Sequence, residues 1–223
     1  MIRLLGQCYL NQKMHLVLFI NQLLAIGIII LILTIDVNTT EMILYPKTYQ
    51  TYFEQMFLQV FTVFNAMFVL FLTMDHDQKF LNPYISYFGR FKVMIGKYVF
   101  YSIILSMYAL FITMIWIIGL MTLTTIRFVL NWQTYLYFWL DLWFLMTLIL
   151  TIVRERFKAV AVIIVFVYLL FNLFYQANES FFLYLIPIVQ SEFITEPFFV
   201  TYKLTYLSFL FTVYLHKTLH ETR

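Results

Sequence analysis

What this chain of 223 residues has little of is charge, cysteine, glycine and proline, and each shortage closes off a class of protein. Charged side chains make up 11% of it, against about 25% in a soluble domain, so there is not enough charge to cover a water-facing globule. A single cysteine, Cys8, excludes an internal disulfide framework and a cysteine-cluster zinc site. Five glycines and four prolines argue against a loop-rich scaffold. The 14 Lys and Arg exceed the 11 Asp and Glu by three, too weak a surplus to hold a nucleic-acid backbone.

What is present is apolar. Hydrophobic residues make up 63% of the chain and aromatic residues 21%, which points to an integral membrane protein. A bilayer core about 30 Å thick is crossed by roughly 20 helical residues. Six runs of that kind occur, at 16–35, 56–74, 98–120, 134–153, 159–175 and 198–215. The runs are continuous rather than alternating, which argues against a β-barrel. The expected fold is therefore all-α, a single transmembrane domain over 1–223 with six transmembrane helices. The first run has Arg3 and Lys13 ahead of it, yet it is longer than a signal-peptide core and no small-residue cleavage site follows, so it reads as a retained helix.

Orientation follows from Lys and Arg, which concentrate in cytoplasmic loops. With the N-terminus inside, Arg3, Lys13, Lys79, Arg90, Lys92, Lys97, Arg154, Arg156, Lys158, Lys217 and Arg223 lie on the cytoplasmic side. Lys47, Arg127 and Lys203 lie toward the other. This 11 to 3 division of the 14 cations puts both termini in the cytoplasm, in a multi-pass protein of a cell membrane, expected to be the bacterial cytoplasmic membrane.

Three stretches outside the spans carry information. Residues 1–15 place Arg3, Gln7 and Asn11 on one helical face and Ile2, Leu5 and Tyr9 on another, as an interfacial helix would. In the loop 75–97, Asn82 suits a helix cap, Pro83 the first helical position and Gly89 a left-handed stop, which predicts a short helix from Pro83 to Phe88. Its Tyr84, Ile85, Tyr87 and Phe88 are too apolar for a solvated loop and are expected to face a partner or the lipid surface. The basic stretch Arg90 to Lys97 that follows would meet anionic headgroups. Between the last two spans, 176–197 holds an apolar run from Phe181 to Val189 that is too short to cross, which predicts a re-entrant segment on the outer side.

The chemistry-bearing motifs fail one by one. Gly89 and Gly96 are too far apart for a phosphate loop, and Tyr98 stands where a Ser or Thr is needed. His216 and His220 share a helical face, but His15 and His76 lie elsewhere and no HExxH occurs. Asn38 and Asn178 begin glycosylation-type triplets to which no function is assigned. No catalytic site, metal site or cofactor is expected in this chain. Two charges fall inside apolar runs, Asp141 and Lys203, and are expected to pair or to line one aqueous vestibule. The alternative is that Lys203 snorkels outward and Asp141 lies near the interface. Asn21, Gln22 and Asn65 are expected to bond between helices.

The order of parts, with Phe80-Leu-Asn-Pro-Tyr-Ile-Ser-Tyr-Phe-Gly-Arg followed by Gly96-Lys97 and a span, resembles the permease subunits of type-2 ABC exporters. The resemblance covers the whole chain in layout and about twenty residues in motif. It implies a half-transporter that works as a dimer, with a second permease subunit that is a copy or a paralogue, and with two copies of a separate ABC ATP-binding subunit that carries the ATP and Mg. It further implies that the short loop helix couples to the ATPase, through Asp75, Asp77, Lys79, Asn82, Pro83, Tyr84, Ile85, Tyr87, Phe88 and Arg90. Arg154, Glu155, Arg156 and Lys158 would form a smaller second contact. Phe181, Phe182, Tyr184 and Pro187 would close the outer end of the pathway. The abundance of Phe and Tyr favours a hydrophobic or amphipathic substrate, an antimicrobial or toxin peptide above others. A reading of a different class is a non-transport membrane protein, such as an immunity, assembly or sensor-partner protein.

Overall fold

In the computed structural model the described residues are 12–35, 46–74, 84–123, 131–152, 158–174 and 197–220. All but Gly89 and Asn131 are helical, with no strand among them. Six long helices run in order: α1 Gln12–Ile35, α2 Pro46–Met74, α3 Arg90–Leu123, α4 Trp132–Ile152, α5 Lys158–Phe174 and α6 Pro197–His220. Among the residues with described side chains, Tyr52–Thr73, Arg90–Thr122 and Trp132–Ile152 are long and apolar enough to cross a membrane, and Phe19–Thr34 of α1 and Ala159–Leu170 of α5 are shorter apolar stretches.

Two helices start eight or more residues ahead of their apolar runs. The second run begins at 56, but α2 starts at Pro46, where a proline fits the first turn and sacrifices no helical hydrogen bond. The third run begins at 98, but α3 starts at Arg90, so the basic stretch is the first part of a 34-residue helix and not a separate segment. At about 1.5 Å per residue α3 is about 50 Å long, well beyond an apolar core of about 30 Å.

α2, α3 and α4 form the centre. They touch one another, and each groove between two of them is covered by a further helix: α1 lies against α2 and α3, α5 against α2 and α4, and α6 against α3 and α4. The centre is filled by rings. Phe57 of α2 meets Trp116 of α3 at 5.2 Å between centroids, and Tyr135 and Phe138 of α4 at 5.5 and 4.9 Å. Lower on the same interface Phe68 stacks on Tyr108 at 4.1 Å. Offset and edge-on geometries of this kind add about 0.5–1.5 kcal/mol per pair beyond area burial.

Matched contacts give the helix directions. Phe57 pairs with Trp116 and Phe68 with Tyr108, so α2 and α3 are antiparallel. Ser106 accepts from Trp139 and Tyr98 bonds Thr147, so α3 and α4 are antiparallel. Asn21 bonds Tyr108 and Ile29 lies beside Gly119, so α1 and α3 are parallel. Lys203 meets Asp141 and Lys217 meets Thr151, so α6 runs parallel to α4. At the α1–α3 crossing a Cβ added to Gly119 would fall 2.8 Å from a methyl of Leu33 and 3.2 Å from one of Ile29, so the absence of a side chain there permits the close approach.

The segment before α3 is a short helix over 84–88 that ends at Gly89, whose φ of 80° is the left-handed stop expected from its sequence. The Gly89 amide donates to the Ile85 carbonyl at 3.0 Å, and the Val93 amide to the Gly89 carbonyl at 3.2 Å. One hydrogen-bonded path therefore leads from the short helix into α3.

Candidate functional site

The two charges expected inside the apolar runs come together. On α4, Tyr137, Asp141 and Phe144 lie at i, i+4 and i+7 and share one face. On α6, Lys203 begins a stripe with Leu207, Leu210, Tyr214 and Lys217 that turns toward the bundle. Lys203 donates to Asp141 Oδ1 in an ion pair whose side chains are 1% and 4% exposed. Tyr168, from α5, donates its hydroxyl to the same carboxylate oxygen. Tyr137 accepts from Lys203 Nζ at 3.5 Å, and the ammonium sits 4.9 Å from the Tyr137 ring centre and 4.8 Å from that of Phe144.

Lys203 therefore does not snorkel: it is among the most deeply buried large side chains of the protein. The physical reason is a choice between two ways of keeping a cation out of hydrocarbon. Reaching the interface stretches the side chain along its own helix, whereas turning inward supplies a full counter-charge and two ring faces. Sequence reasoning singled out Asp141 and Lys203 but missed Tyr137, Phe144 and Tyr168. Tyr168 carried a signal, a lone hydroxyl in the apolar run 159–170, since a buried phenol ordinarily finds a partner.

A second buried carboxylate, Glu54, lies within α2, before the start of the expected span. Asn131 and Thr134, at the start of α4, donate to its Oε2 at 3.2 and 3.3 Å. Of the intramembrane amides, Asn21 donates to Tyr108 at 3.3 Å, an interhelical bond as expected. Asn65 departs from that expectation: it is 2% exposed and neither its Nδ2 nor its Oδ1 has a hydrogen-bond partner among the described residues. It lies on the α2 face that also carries Phe61 and Phe68, where the facing positions are apolar and aromatic.

The chain matches no family model, no curated protein and no solved structure. Any functional reading therefore stands on the residues and their placement alone.

The expected coupling segment is placed in part. Of the four apolar side chains expected to face a partner or the lipid surface, Tyr84, Ile85 and Phe88 are partly buried against the bundle. Tyr87 alone of the four projects, 82% exposed, beside the exposed Ser86. A helix this short shows only one face outward, and its apolar majority turns toward the larger apolar surface. Arg90 is half-buried at the start of α3. Asp75, Asp77, Lys79, Asn82 and Pro83 lie outside the described residues, as do Arg154, Glu155 and Arg156 and the side chain of Lys158. The outer segment with Phe181, Phe182, Tyr184 and Pro187, and residues 1–11 of the interfacial helix, lie outside them too. Among the described residues no group of three or more His, Cys, Asp or Glu is placed to hold a metal ion.

Proposed function

We propose that the chain is the permease half of a type-2 ABC exporter, with six membrane-crossing helices, both termini in the cytoplasm, and a separate ATPase as the motor. The observation that carries this reading is the 84–88 helix, which combines an anchored face, one exposed aromatic and a hydrogen-bonded junction into α3. Such a part receives a push on Tyr87 and passes it to a long helix without slack. The alternation of helix directions supports six crossings, because α1 and α3 run one way while α2, α4 and α6 run the other. The exposed apolar residues of α1, α3 and α5, among them Leu24, Met107, Leu110, Met114 and Phe166, suit contact with acyl chains.

Phe57, Phe61, Trp116 and Phe138 fill the interface of α2, α3 and α4, which favours a substrate path between two chains over one through that interface. That supports a dimer of permease subunits, identical or paralogous, with two ATPase copies on the side of the 84–88 helix. When the ATPases close on each other, the short helices are drawn inward and the bundles tilt, a rigid-body transition between differently open states. The preferred cargo is an amphipathic or antimicrobial peptide, matched to aromatic, weakly charged walls.

The test is co-purification of the full chain with an ABC ATPase, sought first among the genes neighbouring its own, followed by Tyr87→Ala. The reading expects loss of the complex or of substrate-stimulated ATP hydrolysis while the permease remains folded. A Tyr87→Ala complex with unchanged coupling refutes it, and lack of any ATPase partner would favour a non-transport membrane protein instead.

A further inference from the structure

The helix that carries the buried lysine holds a full charge inside its apolar run. α6 is 24 residues long, and its apolar run 198–215 is interrupted by Lys203. The hydroxyls of the same run solve their own problem. Thr205, Ser208 and Thr212 each donate to the carbonyl four residues back, at 2.9, 2.8 and 2.9 Å, so they are satisfied in an isolated helix. Lys203 is different, since no carbonyl of its own helix can offset a full positive charge in hydrocarbon.

The counter-charge is supplied from elsewhere in the chain. Among the described residues the acidic side chains are Glu54 and Asp141, and Glu54 is held by Asn131 and Thr134. Asp141 lies on α4, which precedes α6 in the chain and is itself long and apolar enough to cross. The linker 153–157 from α4 to α5 is short, so the two form a hairpin, and Tyr168 of α5 already donates to the Asp141 carboxylate. That hairpin can form before α6 arrives, with Asp141 oriented on the face that α6 will cover.

We propose that the Asp141–Lys203 pair is a checkpoint in membrane assembly: α6 becomes membrane-inserted only by docking its lysine on the carboxylate that the α4–α5 hairpin presents. The pair then acts on topology, deciding on which side of the membrane the C-terminal tail ends. This inference rests on the six-crossing arrangement proposed above but not on transport.

The experiment places a cysteine after Arg223 in a Cys8→Ser background and asks, in intact cells, whether a membrane-impermeant maleimide reaches it. In the otherwise wild-type chain the tail is protected. Asp141→Leu makes α4 more apolar, so α4 still inserts, but it strands Lys203. An unpaired charge at a helix centre shifts the insertion equilibrium on the order of 100-fold; Lys203, the seventh residue of α6, lies toward one end, so a shift of roughly 10-fold is expected and a measurable share of tails becomes reactive. Asp141→Leu combined with Lys203→Leu removes both charges and restores protection, and Lys203→Leu alone is protected throughout. Full protection in Asp141→Leu overturns the proposal, because α6 then enters without its partner. Exposure that persists in the double variant also overturns it, because the charge is then not the cause. A reactive tail in the unaltered chain refutes the six-crossing arrangement itself, which keeps that failure distinct from failure of the checkpoint.

Discussion

Removing one member of the Asp141–Lys203 pair is expected to be far worse than removing both. Lys203→Met leaves a carboxylate 4% exposed with Tyr168 as its remaining partner among those described, and Asp141→Asn leaves an ammonium with two ring faces and a phenol. Breaking a buried pair on one side costs about 3–5 kcal/mol, because an uncompensated charge remains. Replacing both members by uncharged residues of similar volume is often near neutral, within about 1–2 kcal/mol of the starting stability. The coupling energy of the cycle should then exceed about 3 kcal/mol. An ordinary interhelical hydrogen bond in a membrane protein couples by about 0.6 kcal/mol on average and about 1.7 at most. The two cases are therefore separable by unfolding measurements in mixed micelles, made on the monodisperse fraction of each variant. Added salt should leave the coupling unchanged, since screening over a Debye length of about 8 Å acts on exposed charges and this pair is enclosed. Coupling below about 1.7 kcal/mol, or a strong salt dependence, would show that the two charges do not act as a buried pair.

The 84–88 helix should divide into two kinds of position. Tyr87→Ala is expected to change stability by no more than about 0.5 kcal/mol, as for an exposed residue, while weakening ATPase association by about 2 kcal/mol or more if the ring fills a pocket; co-purification and thermal unfolding read the two effects separately. Ile85→Ala should do the reverse, with a lowered melting temperature, because its side chain packs on the bundle. Gly89→Ala forces a side chain into a left-handed conformation and should cost about 1–2 kcal/mol, seen as a lower unfolding midpoint. Gly119→Leu should separate α1 from α3 at the crossing where Leu33 and Ile29 close in, which a cysteine crosslink between the two helices would report as lost.

Much of the helical layout can be read from hydrophobic runs alone, since each apolar run overlaps one of the long helices along nearly all of its length. Helix ends were less legible. α2 and α3 extend past their apolar stretches because helix hydrogen bonding continues as long as nothing interrupts it, and Pro46 and Gly89 rather than hydropathy set where each begins. The candidate site divides similarly. Asp141 and Lys203 stand out in any reading, because charges in apolar runs are rare. Tyr137 and Phe144 look like ordinary wall residues until α6 is laid against α4.

The sequence by itself determined that the chain is helical and apolar enough for a membrane, where its charges are scarce, and that Gly89 ends a short helix. Those properties depend on composition and on neighbours within a few residues, which any stretch of chain carries with it. Only the tertiary structure decided that Lys203 turns inward rather than outward, that Asn65 is buried without a partner among the described residues, and that Tyr84, Ile85 and Phe88 anchor while Tyr87 projects. Each of these depends on what a neighbouring helix, distant in the chain, offers to that side chain. A lysine facing lipid and a lysine facing Asp141 have the same local sequence and differ only in the partner that packing supplies.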